Sequence, residues 1–263
     1  MQSVQRVDFP LSRKVDEVPL ESGHGVDRRV LFSPTTVGSR YMKFVLVYGQ
    51  PGSESELQAL PGDQMTLTLE GRAVISVADH QYALPIDAAI MIPAETAQKV
   101  KVSGDDQWVA ITASCDECPL MRAHVAKGSF DGGQPNVEEP LVRQVDKVEP
   151  ECLYGFERRV LFSPSTVGSR YMKFAKVRGK PGAKSMAHTH PGGEMALTLQ
   201  GNAQLIANGE HFDLRAGSAF AVPPAVKHPA QATGNDEWIV VTSYCDECPL
   251  MKAQLLEERQ CKR

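Results

Sequence analysis

Two histidines one residue apart, followed by a Pro-Gly-Gly turn and a glutamate, form the group in this sequence that is best suited to chemistry. His188 and His190 would lie on one face of an extended segment, because strand side chains repeat every second residue. The turn returns Glu194 to the same place, and His228 is a fourth candidate further along the chain. Imidazole and carboxylate donors that converge on one point would make a site for one divalent transition metal.

The chain repeats itself at an offset of 130 residues. Residues 28–44 recur at 158–174 with one change, Thr35 to Ser165, and Cys-Asp-Glu-Cys-Pro-Leu-Met stands at both 115–121 and 245–251. Two copies at this spacing indicate two domains of ordinary size. The Gly- and Pro-rich segment between the copies is typical of a linker. We therefore predict an N-terminal domain at 1–127, a linker at 128–136 and a C-terminal domain at 137–263.

Short strands separated by turns dominate each copy. Turn residues recur at intervals of roughly ten, which predicts an antiparallel sandwich or barrel. Asn208-Gly209 predicts a tight hairpin, since this pair tolerates the positive φ angles of a type I′ turn. Short helices are expected after each Cys-Pro-Leu-Met. In the second copy, the clearest strands are expected at 169–179, 195–200 and 238–243.

The residues around the two histidines resemble the motifs of the cupin superfamily. The spacing from Gly182 through His188, His190 and Glu194 to Gly201 is similar to the first cupin motif at every defined position. Gly217, Pro223 and His228 resemble the second motif, with Ala225 and Ala232 standing where glycine and asparagine are usual. The resemblance implies an all-β fold of two tandem double-stranded β-helix (cupin, jelly-roll) barrels with short helices at the barrel ends. It also implies that the three histidines and Glu194 hold one metal.

The first copy has the frame of the motif without its ligands. Gly52, Gly71 and Pro93 are kept, whereas the four ligand positions read Gln58, Leu60, Gln64 and Gln98. An amide oxygen is a poor donor for a transition metal, and a leucine side chain is none. We therefore expect a metal in the C-terminal barrel and none held by this geometry in the N-terminal barrel.

Apolar residues near the four ligands predict a largely dry pocket for a small organic molecule. The pocket residues expected from the sequence are Met186, Met195, Phe220, Val222 and Trp238. Basic residues confined to the second copy would either steer an anionic substrate or guard a solvated edge strand. These are Lys176, Arg178, Lys180 and Lys184.

The duplicated Cys-x-x-Cys pairs permit three interpretations. Cys115, Cys118, Cys245 and Cys248 have zinc-knuckle spacing, and a pseudo-twofold axis between the copies would bring them together as a structural zinc site. Buried structural thiols are the preferred interpretation, because both copies keep the pairs although only one keeps the ligand set. A redox pair is the third. The repeated Arg40–Phe44 and Arg170–Phe174 predict a barrel strand and a domain interface.

The ligand set predicts a metal-dependent enzyme. Iron(II) is favoured, with manganese, nickel or zinc as alternatives, and the coordination positions left open would take substrate, water or dioxygen. The resemblance extends to quercetinase- and acetylacetone-dioxygenase-type cupins, which implies a non-haem iron dioxygenase acting on a small diketone, phenolic or enolisable substrate. By the same resemblance, Glu194 would leave the metal and act as a base.

Two alternatives remain open. One is a metal-dependent hydrolase, isomerase or decarboxylase of the cupin type. The other is a non-catalytic zinc sensor, because Glu157-Arg158-Arg159 ahead of His188 to Glu194 resembles cupin anti-sigma factors. Such factors carry a helical domain ahead of the cupin, and the roughly 25 residues before the first repeat are too few to form one.

Composition and net charge limit the kinds of molecule that the chain is expected to bind. A formal net charge of -4 over 263 residues gives no reason to expect nucleic acid. No apolar run approaches the roughly 18–20 residues that span a bilayer, and the first residues lack the apolar core of a secretory signal. We expect a cytoplasmic protein, monomeric or homodimeric, whose partner is a small molecule.

Overall fold

The computed structural model describes residues 11–36, 39–115, 118 and 139–245. The first half contributes ten of the described strands: β1 Leu11–Lys14, β2 Glu21–Gly23, β3 Val26–Phe32, β4 Lys43–Gly49, β5 Gln64–Glu70, β6 Ala73–Val77, β7 His80–Leu84, β8 Ala88–Ile92, β9 Gln98–Val102 and β10 Trp108–Ser114. The second half contributes the other ten: β11 Leu141–Gln144, β12 Glu151–Leu153, β13 Phe156–Phe162, β14 Met172–Gly179, β15 Glu194–Gln200, β16 Asn202–Ala207, β17 Glu210–Arg215, β18 Ser218–Val222, β19 Ala230–Thr233 and β20 Trp238–Cys245. Short 3-10 helices follow the first strand of each half, at Val15–Glu17 and Val145–Lys147.

Each barrel consists of one seven-stranded and one three-stranded antiparallel sheet. The C-terminal barrel has the strand orders β1-β18-β15-β20-β14-β13-β12 and β17-β16-β19, and the N-terminal barrel has the matching orders β11-β8-β5-β10-β4-β3-β2 and β7-β6-β9. The predicted all-β fold of two tandem double-stranded β-helix barrels is confirmed. The helices predicted after each Cys-Pro-Leu-Met lie outside the described residues.

The two halves exchange their first strands. Strand β1 pairs with β18 of the C-terminal barrel, with Leu11 opposite Ala221, and β11 pairs with β8 of the N-terminal barrel, with Leu141 opposite Met91. The spatial barrels therefore differ from the predicted ranges 1–127 and 137–263 by one strand each. The exchange could not be predicted locally, since either first strand has the sequence to pair at either place. The proposed linker 128–136 lies outside the described residues.

A hydrophobic core lies between the barrels, separate from the core inside each barrel. It includes Met42 and Phe44 from the first half and Met172 and Phe174 from the second, all at most 4% exposed. Arg170, from the same repeated segment, forms a buried ion pair with Asp63 of the other half. The prediction that this repeated segment forms a domain interface is confirmed, whereas only its last residues, from Lys43 and from Met172 onward, belong to the strands β4 and β14.

The described cysteines of the duplicated pairs lie in this inter-barrel core. Cys115, Cys118 and Cys245 are buried free thiols. A hydrogen bond with Cys118, together with burial, raises the pKa of the Cys115 thiol well above its ordinary value, so this thiol stays protonated. Within the described ranges these three do not form a close metal-type group. Cys248, the fourth residue of the predicted zinc site, lies outside them.

Two turns show why particular residues are required. Gly201 has a φ of 72°, and a Cβ atom there would lie 2.2 Å from the carbonyl oxygen of Glu237. Asn208 and Gly209 have φ angles of 55° and 83° between β16 and β17, which confirms the predicted hairpin. The backbone frame of the motif is thus set by sterics independently of any metal.

The strand exchange makes a prediction about the C-terminal half expressed alone, as residues 137–263. Without β1, the edge of β18 and the inter-barrel core would both be exposed to water. Because β11 corresponds to β1, two copies of this half can each pair β11 with β18 of the other copy and so cover both surfaces. We therefore expect a dimer in size-exclusion chromatography with light scattering. A stable monomer at micromolar concentration would contradict this. The same half starting after residue 150 lacks β11 and is the control that should not form the dimer.

Candidate metal centre

Three chain segments bring the predicted ligands together. His188 and His190 lie between β14 and β15, Glu194 is the first residue of β15, and His228 precedes β19. The backbones of His188 and His228 form an isolated antiparallel bridge, with N···O distances of 3.3 and 3.0 Å. This bridge places two imidazoles side by side, because opposed residues on one face are neighbours.

The donor atoms of the four side chains converge on one point. One ligand atom from each lies within 4.8 Å of all the others. Glu194 Oε2 is 3.0 Å from His228 Nε2 and 3.4 Å from His190 Nε2. Glu194 and His228 are only 9% and 3% exposed, whereas His188 lies at the exposed side of the group. The four residues singled out in the sequence are thus brought together.

Backbone carbonyls fix the orientation of two imidazoles. His188 Nδ1 lies 2.9 Å from the carbonyl oxygen of Met186, and His228 Nδ1 lies 2.8 Å from that of Val226. A carbonyl oxygen only accepts, so each Nδ1 carries the proton and each Nε2 presents its lone pair to the centre. A ring that donates through one nitrogen and ligates through the other is the usual arrangement in protein metal sites.

The group requires a positive charge at its centre. A neutral His228 Nε2 and an ionised Glu194 oxygen are both acceptors, and their 3.0 Å separation is favourable only if a proton or a cation lies between them. Burial alone would raise the pKa of Glu194, but hydrogen bonds with His190 and His228 lower it far below its ordinary value. Burial opposes the charging of His228, yet Glu194 raises its pKa. The four side chains therefore fit a divalent cation, which would replace the shared proton.

A cavity of about 400 Å³ opens beside the four residues. Its walls are mainly apolar side chains from both sheets, including Phe156, Val177, Leu205 and Val240. Exposed Leu153, Tyr154 and Met186 surround its mouth. The size and lining suit an organic molecule with an apolar body.

The predicted pocket residues divide into two groups. Met186, Phe220 and Trp238 line the cavity. The prediction that Met195 lines the pocket was wrong. Met195 is next to Glu194 on β15, so its side chain faces the opposite side of the strand and packs in the inter-barrel core. Val222 belongs to the apolar cluster of this barrel but is not part of the cavity wall.

Tyr244 and Arg158 form a polar pair in the cavity that was not predicted from the sequence. Tyr244 stacks on His190 with ring centroids 4.2 Å apart, and its hydroxyl accepts a hydrogen bond from Arg158 Nη1 at 3.2 Å. Arg158 also donates to Glu151 at 2.5 and 3.0 Å. Strand periodicity could have found Tyr244, since every second residue of β20 from Trp238 onward faces the cavity. Arg158 was noted only as part of a family resemblance.

The structure also corrects the interpretation of the basic residues confined to the second copy. Lys176 and Arg178 lie on β14, which is hydrogen-bonded on both sides, so they do not guard an edge strand. Lys176 binds Asp87 of the N-terminal half at 2.5 Å, and Arg178 lies 3.3 Å from Glu237. Lys180 and Lys184 are exposed in the following loop. None of the four lines the cavity.

The N-terminal barrel uses neutral amides at the corresponding positions. Gln58 and Gln98 form the same backbone bridge, and Gln98 Nε2 donates to Gln64 Oε1 at 3.0 Å. Gln64 Nε2 in turn donates to Thr66. Among the residues described in this barrel, no group of histidine, cysteine or carboxylate side chains has metal-type geometry.

Comparison with known proteins supports the cupin resemblance in the second barrel. Residues 175–244 match a family profile described as Cupin domain. A curated protein named polyketide synthase CurC, from Streptomyces cyaneus, is 33% identical over 101 residues, which are 37% of this chain and 64% of that protein. The match thus spans slightly less than two thirds of the relative. Within the described residues, no helix has the length and apolar character needed to cross a membrane.

Solved structures extend the resemblance to both barrels. An oxalate decarboxylase structure aligns with a TM-score of 0.73 at 15% identity, covering 90% of this chain and 77% of that one. An oxalate decarboxylase OxdC from Bacillus subtilis whose Mn(II) centres were studied aligns with a TM-score of 0.72 at 14% identity, covering 90% and 78%. At such low sequence identities, these structures are evidence for the fold alone. The cupin resemblance is therefore supported by sequence in the C-terminal barrel and by fold in both barrels, while the finer likeness to quercetinases, acetylacetone dioxygenases or anti-sigma factors stays a prediction.

Proposed function

We propose that the chain is a metal-dependent enzyme whose single cupin-type metal site lies in the C-terminal barrel. The observation that carries this proposal is the convergence of His188, His190, Glu194 and His228 at the wall of a large, mainly apolar cavity. A purely structural metal site would be closed by protein on all sides, whereas His188 faces an open space.

The reaction we favour is dioxygenation of an enolisable or phenolic carbonyl compound. When bound, iron(II) would supply open coordination positions and reactivity toward dioxygen, and manganese, nickel or zinc would polarise a carbonyl instead. Phe220 and Trp238 exclude water from the space where the apolar body of a substrate would lie. The dioxygenase assignment itself rests on the resemblance given in the sequence analysis.

The shape and chemistry of the cavity support a substrate with an apolar body and an oxygen-bearing head. Arg158 and Tyr244 can donate hydrogen bonds to an enolate, phenolate or carboxylate oxygen near the four ligands. The similarity to a polyketide synthase protein agrees with a phenolic or polyketone substrate. Oxalate, a small dianion, would leave most of a 400 Å³ apolar cavity unfilled.

The proposed role of Glu194 as a base needs a change in its contacts. Hydrogen bonds with His190 and His228 hold its pKa far below the ordinary value, so in this arrangement it is a weak base. It would gain basicity only if it gave up those contacts without binding a cation in their place. Tyr244, which lines the cavity and whose hydroxyl accepts a hydrogen bond from Arg158, is better placed to deliver a proton.

A second candidate is metal-dependent chemistry that consumes no dioxygen. The Arg158–Tyr244 pair favours it, because a fixed cation beside a hydroxyl can bind the carboxylate of a decarboxylation substrate or stabilise an enolate. The non-catalytic zinc sensor would require neither the pair nor the large cavity.

Elemental analysis tests the metal proposal. Protein purified without added metal should hold about one divalent transition metal ion per chain, and His190→Ala with His228→Ala should remove it. His211→Ala, at an exposed histidine on β17, is the matched control that should retain it. Two equivalents, or none after reconstitution with iron, manganese, nickel or zinc, would contradict a single site.

Oxygen-electrode measurements separate the reaction classes. With a panel of β-diketones and phenolic ketones, we expect dioxygen uptake equal to substrate consumed, abolished by His190→Ala with His228→Ala. Turnover without dioxygen uptake would replace the first candidate with the second. A metal-loaded protein that binds these compounds without converting them would support a sensor.

Tyr244→Phe tests the polar pair. Loss of the hydroxyl should lower kcat by about 10- to 100-fold with KM and metal content nearly unchanged, because the hydrogen bond would act mainly as charge develops. Tyr82→Phe, on β7 of the other barrel, is the matched control. An unchanged kcat would show that Tyr244 serves only to pack against His190.

A further inference from the structure

The N-terminal barrel encloses a cavity of its own, of about 120 Å³, at the place that the metal group and its pocket occupy in the other barrel. Polar and charged side chains line much of it. Those that carry the argument are Arg28, Lys43, Ser55, Gln58, Gln64 and Ser114. Two of the lining residues are basic, and no acidic side chain is among the described residues of its wall. Its surroundings therefore favour a small anion.

Arg28 differs from its counterpart in the second barrel. Arg158 is held by Glu151 and by the Tyr244 hydroxyl. In the first barrel Ser114 replaces the tyrosine, and Glu21, which pairs with Arg28 along the strands, forms no ion pair with it. Within the described residues the Arg28 guanidinium has no hydrogen-bond or ion-pair partner. A half-buried cation of this kind gains most from an anion that accepts two parallel hydrogen bonds.

The amide network beside this cavity has an unmet acceptor. Gln98 is fully buried, and its Nε2 donates to Gln64 Oε1, but its own Oε1 has no hydrogen-bond partner among the described residues. Buried amide oxygens normally have a donor, because leaving one without a partner is costly. Gln98 does not line the cavity, but Gln64 does, and Gln64 Oε1 keeps a second acceptor position that a hydroxyl group of a bound molecule could fill.

The mouths of the two cavities also differ. In the second barrel Tyr154 and Met186 form an apolar entrance. At the corresponding positions of the first barrel, His24 Nδ1 lies 2.6 Å from Glu56 Oε2, and both side chains are largely exposed. A polar entrance of this kind admits a small hydrophilic molecule more readily than an apolar one.

We propose that the N-terminal barrel is a metal-independent binding site for a small hydroxy acid, such as a two- or three-carbon 2-hydroxycarboxylate. Arg28 binds the carboxylate, and Gln64 of the amide network accepts a hydrogen bond from the hydroxyl group. The cavity volume is that of about four water molecules in the liquid, which limits the ligand to this size. This site is independent of the proposed function of the C-terminal barrel, and neither proposal depends on the other.

Calorimetric titration of the full chain tests the proposal. The His188→Ala/His190→Ala background prevents the acids from chelating a metal in the other barrel. Glycolate and lactate should bind at one site per chain, at least about 10-fold more tightly than acetate, which lacks the hydroxyl, or ethylene glycol, which lacks the carboxylate. No saturable binding of glycolate or lactate, or equal binding of all four probes, would overturn the proposal.

Variants locate the site. Arg28→Met should weaken glycolate binding at least about 10-fold, and Arg28→Lys should weaken it less, because a lysine keeps the charge but loses the paired hydrogen bonds. Arg72→Met, the same change at an exposed arginine of the same barrel that does not line the cavity, should leave it unaltered. Binding that survives Arg28→Met or is lost in Arg72→Met would overturn the proposal. If thermal unfolding shows that Arg28→Met is not folded, Ser114→Leu, which fills the cavity, should abolish binding instead, and persistent binding would overturn the proposal.

Discussion

The alternation of side chains along shared strands is the constraint on which the rest of the molecule depends. Strands β15, β18 and β20 each separate two cores, so consecutive residues must serve different ones. Glu194 and Ala196 face the interior of the C-terminal barrel, while Met195 and Leu197 pack between the barrels. A shift of one residue in β15 would bury the Glu194 carboxylate in the inter-barrel core and expel Met195 and Leu197 from it.

The same alternation separates chemistry from assembly. On β20, Thr242 and Tyr244 face the cavity, and Val241 and Cys245 face the other barrel. The described cysteines of the repeated pairs, Cys115, Cys118 and Cys245, therefore belong to the surface that holds the two halves together, and the raised pKa of Cys115 suits a packed thiol. These residues of the most conspicuous repeated motif thus lie on the face opposite to the candidate metal centre.

Features that depend on local spacing could be predicted from the sequence, whereas features that depend on pairing between distant segments could not. The four ligand positions, the hairpin at Asn208-Gly209 and the barrel fold follow from spacing and turn chemistry within short stretches. Met195 was assigned to the wrong face because proximity to Glu194 in sequence was used instead of strand alternation. Strand periodicity puts Tyr244 on the same face as Trp238, but its approach to His190 depends on the pairing of β20 with β15, which the sequence does not show. The exchange of β1 and β11 was equally inaccessible, since two similar strands compete for two similar edges.

The two barrels place electrostatically different pairs of side chains at the same central positions. In the second, Glu194 and His228 bring a carboxylate and an imidazole so close that a proton or cation must lie between them. In the first, Gln64 and Gln98 occupy the same positions and join through a neutral amide hydrogen bond that needs no ion. Gly71 and Gly201 keep the same left-handed backbone in both, so the frame does not depend on which pair is present. Because each barrel also takes its first strand from the other half, the barrel without metal ligands remains necessary to the one that has them, whatever it binds itself.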